Sequence, residues 1–263
     1  MMATFYSSAQ AMTKTKLAVI GLFLLIVGGA AAAEEPNKIF TARAEKEFHR
    51  AQAQFQSATN DSTNAWQFAR ACFDFSELVT NATQRADSAR LGIAACRQLL
   101  VREPKSAPAH YYLAMNFGEL ADAEAPSITA YKLVHEIERE FKTAAELDEH
   151  FDFAGPVRNL GQLYFQAPGW PLSVGSKHKA RAWLERAATL APDYPENQLC
   201  LAEAQLKWRQ CDEAEKTLKK LAAIWPAAQT NFTGVVWEKS WGEWRVRRTA
   251  AQSEFQKLFP AAP

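Results

Sequence analysis

Ala180-Arg181-Ala182-Trp183-Leu184-Glu185-Arg186-Ala187-Ala188-Thr189-Leu190-Ala191-Pro192 is the stretch that decides the fold. Four of its positions, Ala180, Leu184, Ala187 and Pro192, return 34 residues later as Ala214, Leu218, Leu221 and Pro226. Self-similarity at such a period marks a helical repeat, in which each unit buries its apolar face only by stacking on the next. Residues four and seven apart share one helix face. The small residues on that face let paired helices approach closely. The Pro is expected to end each second helix, because it lacks an N–H and clashes with the preceding turn. Leu201-Ala202 opens the matching stripe on the helix between the two copies.

The pattern extends backwards with slippage. Leu160-Gly161 and Tyr164 match the first helix of the preceding pair, with seven extra residues in Ala167–Gly175, a stretch too rich in Pro and Gly for a helix. Leu113-Ala114 and Phe117 match one pair earlier, and Phe141 with Ala144 its second helix. Before that, Pro104 closes a helix over about 86–102, whose partner over about 63–78 carries Trp66, Ala69 and Phe73. Phe40, Ala44, Phe48, Ala51 and Phe55 form one helical face at 38–57. Trp237, Trp241, Trp244, Ala251, Phe255 and Leu258 form another at 236–259. A repeat array needs such terminal helices to cover its open ends. The reading is ten helices in a single repeat domain over 37–263: four pairs and two caps.

That spacing resembles the tetratricopeptide repeat (TPR), which implies an all-α fold, a TPR-like α-solenoid of antiparallel helix pairs with capping helices at both ends. A narrower likeness lies in Gly155–Tyr164, Ala167–Pro171, Gly175-Ser176 with Lys179-Ala180, and Leu190–Asn197. These segments are similar to TPR proteins related to the T component of TRAP transporters. The resemblance implies a periplasmic protein that acts with a solute-binding subunit and carries out no catalysis. The lipid-anchored members of that family begin at an acylated Cys, and no Cys stands directly after the apolar core of this chain's leader, so lipid anchoring is not expected.

That leader is residues 1–33. It contains no acid, carries Lys14 and Lys16, runs apolar from Leu17 to Val27 and ends in Ala31-Ala32-Ala33. A basic start, a short apolar core and small residues before cleavage describe a secretory signal peptide. Cleavage is expected before Glu34, giving a periplasmic or secreted chain. The alternative is an uncleaved N-terminal membrane anchor that leaves the domain facing the periplasm. The 263 residues carry 30 Lys and Arg against 29 Asp and Glu. Without the two leader lysines the balance is −1, which excludes a dedicated nucleic-acid binder with its usual basic excess.

No spacing points to catalysis, a metal or a cofactor. His49, His110, His135, His150 and His178 form no two-ligand helix motif, and Cys72, Cys96, Cys200 and Cys211 match no metal pattern. The cysteines are expected as buried free thiols, with a Cys72–Cys96 pairing left open. The chain is therefore expected not to be an enzyme. The Trp237, Trp241 and Trp244 stripe is expected to be buried. Trp170, on the Pro/Gly loop, either tucks against the repeat or meets a ligand. Ser176 is placed to cap the following helix.

TPR arrays bind on a concave face lined by their first helices. The corresponding positions here are Tyr111, Met115 and Glu119, then Arg158, Gln162 and Phe165, then Leu199, Glu203 and Lys207. An aromatic, a cation and amides in a groove suit an extended peptide or an organic anion, with Tyr111, Arg158 and Phe165 as expected hot spots. The expected function is an exported binding or assembly module with a protein partner, a solute-binding protein of a TRAP-type uptake system being one. The alternative is a structural cell-envelope scaffold that binds no solute.

Overall fold

The computed structural model describes residues 30–125 and 127–260, with side chains from residue 38 onward except at 129. Up to residue 29 the expected leader lies outside the described residues. The helices are α1 (Ala30–Ser57), α2 (Ser62–Leu78), α3 (Ala82–Arg102), α4 (Ala107–Ala123), α5 (Ile128–Leu147), α6 (Phe151–Gln166), α7 (Lys177–Leu190), α8 (Pro195–Lys207), α9 (Cys211–Asn231) and α10 (Glu238–Leu258), with a 3-10 turn at Val235–Trp237. No strand occurs among the described residues. The helices gather into two compact units. One runs to Asp148 and includes Gln166–Val174; the other comprises Glu149–Phe165 and the chain from Gly175 on.

In the first unit α1 packs on α2, α2 on α3, α3 on α4 and α4 on α5. Side chains open the helices: Asp61 accepts from the Asn64 amide, Asn81 from Gln84 and Ser127 from Ala130, each satisfying an N–H that the first turn leaves orphaned. Phe48 meets Phe68 and Phe75 at 5.7 and 5.3 Å between ring centres, and Trp66 stacks on Tyr112 at 5.9 Å. Helix α4 is buried from Tyr111 to Ala121. Its Asn116 amide donates to the carbonyls of Ala69 on α2 and Tyr112, at 2.9 and 2.8 Å. Only a glycine fits opposite: a Cβ at Gly92 on α3 would lie 2.4 Å from the Asn116 Oδ1.

The second unit opens with a left-handed turn. Asp152, Phe153 and Ala154 have φ of 53, 53 and 61°, each a non-glycine residue at a cost of roughly 1–2 kcal/mol. The right-handed part of α6 follows at Gly155-Pro156, where the fixed φ of Pro suits a helix start. Gly161 lets α6 and α7 touch, since a Cβ there would lie 2.9 Å from Leu184 Cδ2 and 3.0 Å from its backbone nitrogen. Ser176 caps α7, accepting from the Lys179 amide at 3.3 Å. Helix α8 packs on α7, α9 and α10, and is buried from Pro195 to Leu206.

One expected helix end is corrected. Helix α7 stops at Leu190 before Pro192, but α9 runs through Pro226 to Asn231. An interior Pro costs about 3 kcal/mol. Beyond it the extra turns bury Ala228 and lead to Phe232, in one cluster with Trp225, Trp237, Trp241 and Trp244. A buried large side chain contributes about 1.5–3 kcal/mol, so the aromatic cluster outweighs the break. The tryptophan stripe is thus the core of the cap, as expected. All four cysteines are free; Cys72, Cys96 and Cys200 are buried and Cys211 half-buried. Burial pushes the Cys72 and Cys96 thiols well up and, with the nearby Glu196 charge, the Cys200 thiol up to about 12, so these are packing groups and not nucleophiles.

Candidate functional site

The expected groove residues separate into two classes. Tyr111, Met115, Glu119, Arg158, Gln162, Leu199 and Glu203 are buried; Phe165 is half-buried and Lys207 exposed. The buried set lies on helices that are buried along most of their length, and these side chains pack against neighbouring protein groups. Tyr111 packs edge-on against Tyr112 and tilted against Phe141, with ring centres at 5.0 and 5.9 Å.

Arg158 is the clearest case, with a relative exposure of 0%. Its Nη1 donates to the Phe153 carbonyl at 3.2 Å and to Asn197 Oδ1 at 3.1 Å. Its Nη2 lies 3.8 Å from Asp152 Oδ2, and its guanidinium stands 5.4 Å from the Tyr194 ring centre. The Asn197 amide in turn donates to Phe153, Ala187 and Ala191 carbonyls, each at 3.1 Å. Phe153 stacks on Tyr194 at 4.6 Å. The arginine expected to greet a partner is the strut of the left-handed turn.

Glu203 is likewise taken. Arg247 on α10 forks onto it with two bonds of 3.0 Å, bonds Glu196 as well, and reaches Cys200 Sγ at 3.5 Å. The Trp244 Nε1 donates to Glu196 Oε2 at 2.7 Å. Burial alone would raise the Glu196 carboxyl; the Arg247 and Arg158 charges outweigh it and hold it below the usual range. A carboxylate so bonded stays ionised inside the helix pair. Helix α10 thus closes the last pair by charge as well as by tryptophan packing.

What remains open lies at the ends of the helices. Phe165, near the end of α6, meets the Trp208 ring edge-on at 5.6 Å. Trp208 is the residue after α8. Lys177 and Arg181, from the start of α7, bring Nζ and Cζ to 5.6 and 5.8 Å from the same ring centre. One of the expected residues, Phe165, therefore belongs to a cationic and aromatic patch whose other members were not expected, and a second, Lys207, is exposed and precedes Trp208 in the chain. A signal for them exists in the sequence: Lys177-His178-Lys179-Ala180-Arg181 crowds cations into a first turn, where the helix dipole favours acids. In the first unit Trp170, 89% exposed, and Leu172, 66% exposed, stand open on the Pro/Gly loop, so Trp170 does not tuck.

Among the described residues no group of three or more His, Cys, Asp and Glu side chains is placed to hold a metal ion, and no helix is long and apolar enough to cross a membrane. The open patch offers N–H donors and aromatic faces, the means to hold carboxylates and apolar groups.

No protein-family model matches the chain, and no curated protein matches it. Among solved structures, a thermophilic TPR protein of Thermus thermophilus is similar at 17% identity and a TM-score of 0.58, over 84% of this chain and 100% of its own. PilF of Pseudomonas aeruginosa, at 14% identity over 87% of this chain and 94% of its own, and yeast Tom70, at 11% over 92% and 68%, have TM-scores of 0.44 and 0.32; these two weaker likenesses add nothing to it. The helix pairs described above and the Thermus likeness together make the chain an all-α, TPR-like α-solenoid.

Proposed function

We propose that the chain is an exported cell-envelope scaffold that recruits partner proteins through its helix ends and loops, without binding a solute in a groove. The observation that carries this reading is the burial and internal pairing of the groove positions. Arg158 is held by Phe153, Asn197 and Asp152, and Glu203 by Arg247. A solute would have to displace those bonds, leaving buried charges unpaired at several kcal/mol each. The residues that carry the likeness to the TRAP T component include Arg158, Gly161 and Asn197. These hold the second unit together, so that likeness supports the fold and says nothing of cargo. Export rests on the leader over residues 1–33.

The test is calorimetric titration of the purified chain with a panel of small organic acids, beside in-cell crosslinking from surface positions. The scaffold reading expects no saturable heat with any acid and crosslinks to protein. Stoichiometric binding of an organic acid that Arg158→Lys abolishes, with the fold retained, would replace it with solute binding. N-terminal sequencing of native protein is expected to begin at Glu34; an intact leader in the membrane fraction would make the scaffold an anchored one.

A further inference from the structure

The scaffold reading leaves open what its surface holds, and the Trp208 patch answers in chemical terms. Among the described residues, Lys177, Arg181, Lys207 and Arg209 have no carboxylate within ion-pair distance. Some cations elsewhere pair along their own helix, Lys142 with Glu138, Lys219 with Glu215 and Arg90 with Asp87, at 2.7, 2.8 and 2.9 Å, while Arg245 and Arg248 of α10 lie over the Trp241 and Trp225 rings at 5.7 and 4.3 Å. Glu185 sits one turn beyond Arg181 on α7, the spacing of a helix ion pair, yet Arg181 lies against Trp208 instead. The cations around Trp208 are therefore left with unneutralised charge next to an aromatic surface.

Two local choices made against the backbone's preference place those cations. Lys177 opens α7 at its positive dipole end, with no acid in the first turn. Arg209 occupies the left-handed position that closes α8, at φ 56°. There its N–H bonds Leu206 and the next N–H bonds Gln205, both at 3.0 Å, the ring closure that usually selects glycine. Each exception adds positive charge beside Trp208 or next to it in the chain. Sequences break local rules of this kind chiefly where function asks for it.

We infer that this patch docks an acidic, extended segment of a partner protein, its carboxylates on Lys177, Arg181, Lys207 and Arg209 and an apolar side chain against Phe165 and Trp208. The inference rests on the scaffold reading above. Charge complementarity selects the acidic segment, and the aromatic face selects a peptide over an inorganic anion, which would leave that face unused. A bilayer takes up rings that project, whereas Trp208 and Phe165 are half-buried and line a surface.

The probe is a fluorescein-labelled peptide of about ten residues, rich in Asp and Glu around one Leu, followed by anisotropy. Saturable binding is expected, weakening with salt as screening shortens the reach of charge. The double variant K177E/R181E should bind about tenfold or more weakly, because charge reversal at an interface opposes encounter and retention alike. K219E, on exposed α9 surface, should bind as the parent does. Unchanged thermal unfolding of K177E/R181E shows that the fold is intact, and W208F, which keeps an aromatic ring, should retain binding. Three results would overturn the inference: no saturable peptide binding, equal loss with K219E, or binding to phosphatidylserine vesicles but not to peptide. If the patch fails while the crosslinks to protein persist, the scaffold reading stands. If an organic acid binds in the calorimeter, that reading falls by itself.

Discussion

Two arginines of the second unit stand over aromatic rings at similar distances, Arg158 at 5.4 Å from Tyr194 and Arg181 at 5.8 Å from Trp208. The first is enclosed, with its hydrogen bonds taken by Asn197 and Phe153, residues brought close only by folding. The second is half-exposed beside an ordinary helix acid that it leaves unpaired. The same pair of residue types is a structural strut in one place and an open surface in the other. Burial and the identity of the hydrogen-bond partners make the difference. A cation whose acceptors come from distant turns has been committed to the fold, whereas one with only an aromatic neighbour still has donors to offer.

The largest effect expected breaks that comparison at the strut. Arg158→Ala leaves Asp152 buried near no guanidinium and the left-handed turn without one of its hydrogen bonds. It should cost about 3–5 kcal/mol, the range for removing one partner of a buried charged pair. Arg181→Ala should stay within about 0.5 kcal/mol, as surface substitutions do. Denaturant unfolding of the two variants measures both. Similar losses would mean that Arg181 is also structural and that the patch belongs to the core.

Helix number, pairing and caps were legible because apolar spacing is local and repeats. Gly161 was legible for the same reason: a small residue in the stripe has to face a neighbour. The next effect tests it, since Gly161→Leu should cost about 1–3 kcal/mol by overpacking against Leu184, and a neutral thermal shift would break the α6–α7 register. The roles of Arg158 and Glu203 were not legible. Register counting along one helix places both on a groove, but their partners, Asn197 and Arg247, lie 39 and 44 residues away, and α10 covers what an isolated pair would leave open. Pro226 misled for a similar reason. Its local cost is real, and the Trp225 and Phe232 packing that overrides it comes from a cluster completed by α10. The Trp208 patch went unseen because Trp208 follows the stripe instead of belonging to it.

A smaller effect sharpens the comparison from the exposed side. Arg209→Gly relieves a left-handed residue of its Cβ and should raise stability by about 0.5–1 kcal/mol, net of the glycine's own chain entropy. The same change removes the exposed cation that follows Trp208 in the chain, so acidic-peptide binding should weaken as the melting temperature rises. A variant both more stable and equally good at binding would separate the strain from the surface.

The smallest effect lies in the first unit and extends the contrast to a cation that can lose its charge. His110 Nδ1 lies 2.6 Å from Glu140 Oε2, and Nε2 lies 2.9 Å from the Pro104 carbonyl. Burial disfavours the imidazolium, but the hydrogen bonds to Glu140 and Pro104 outweigh it and raise its pKa above the ordinary value. Burial also disfavours ionised Glu140, and there the bonds from His110 and Arg139 win and lower its pKa. A group whose pKa is raised by folding adds stability below its unfolded value, and loses it as pH rises through the folded one. A carboxyl lowered by folding adds stability above its unfolded value and loses it as pH falls through the folded one. The pair therefore contributes most from just above the ordinary carboxylate range to just below the ordinary histidine value. Stability should decline as pH rises from about 6.5 toward 8, the interval above the unperturbed histidine pKa. The His110–Glu140 pair takes no part in the Trp208 patch, so peptide binding there should not follow the decline. Thermal unfolding and anisotropy across the same pH series test both statements. In His110→Gln, which keeps a side-chain amide but no titrating ring, the slope in unfolding should flatten. If it persists, another group carries it and the His110–Glu140 contact is not the titrating link between α4 and α5.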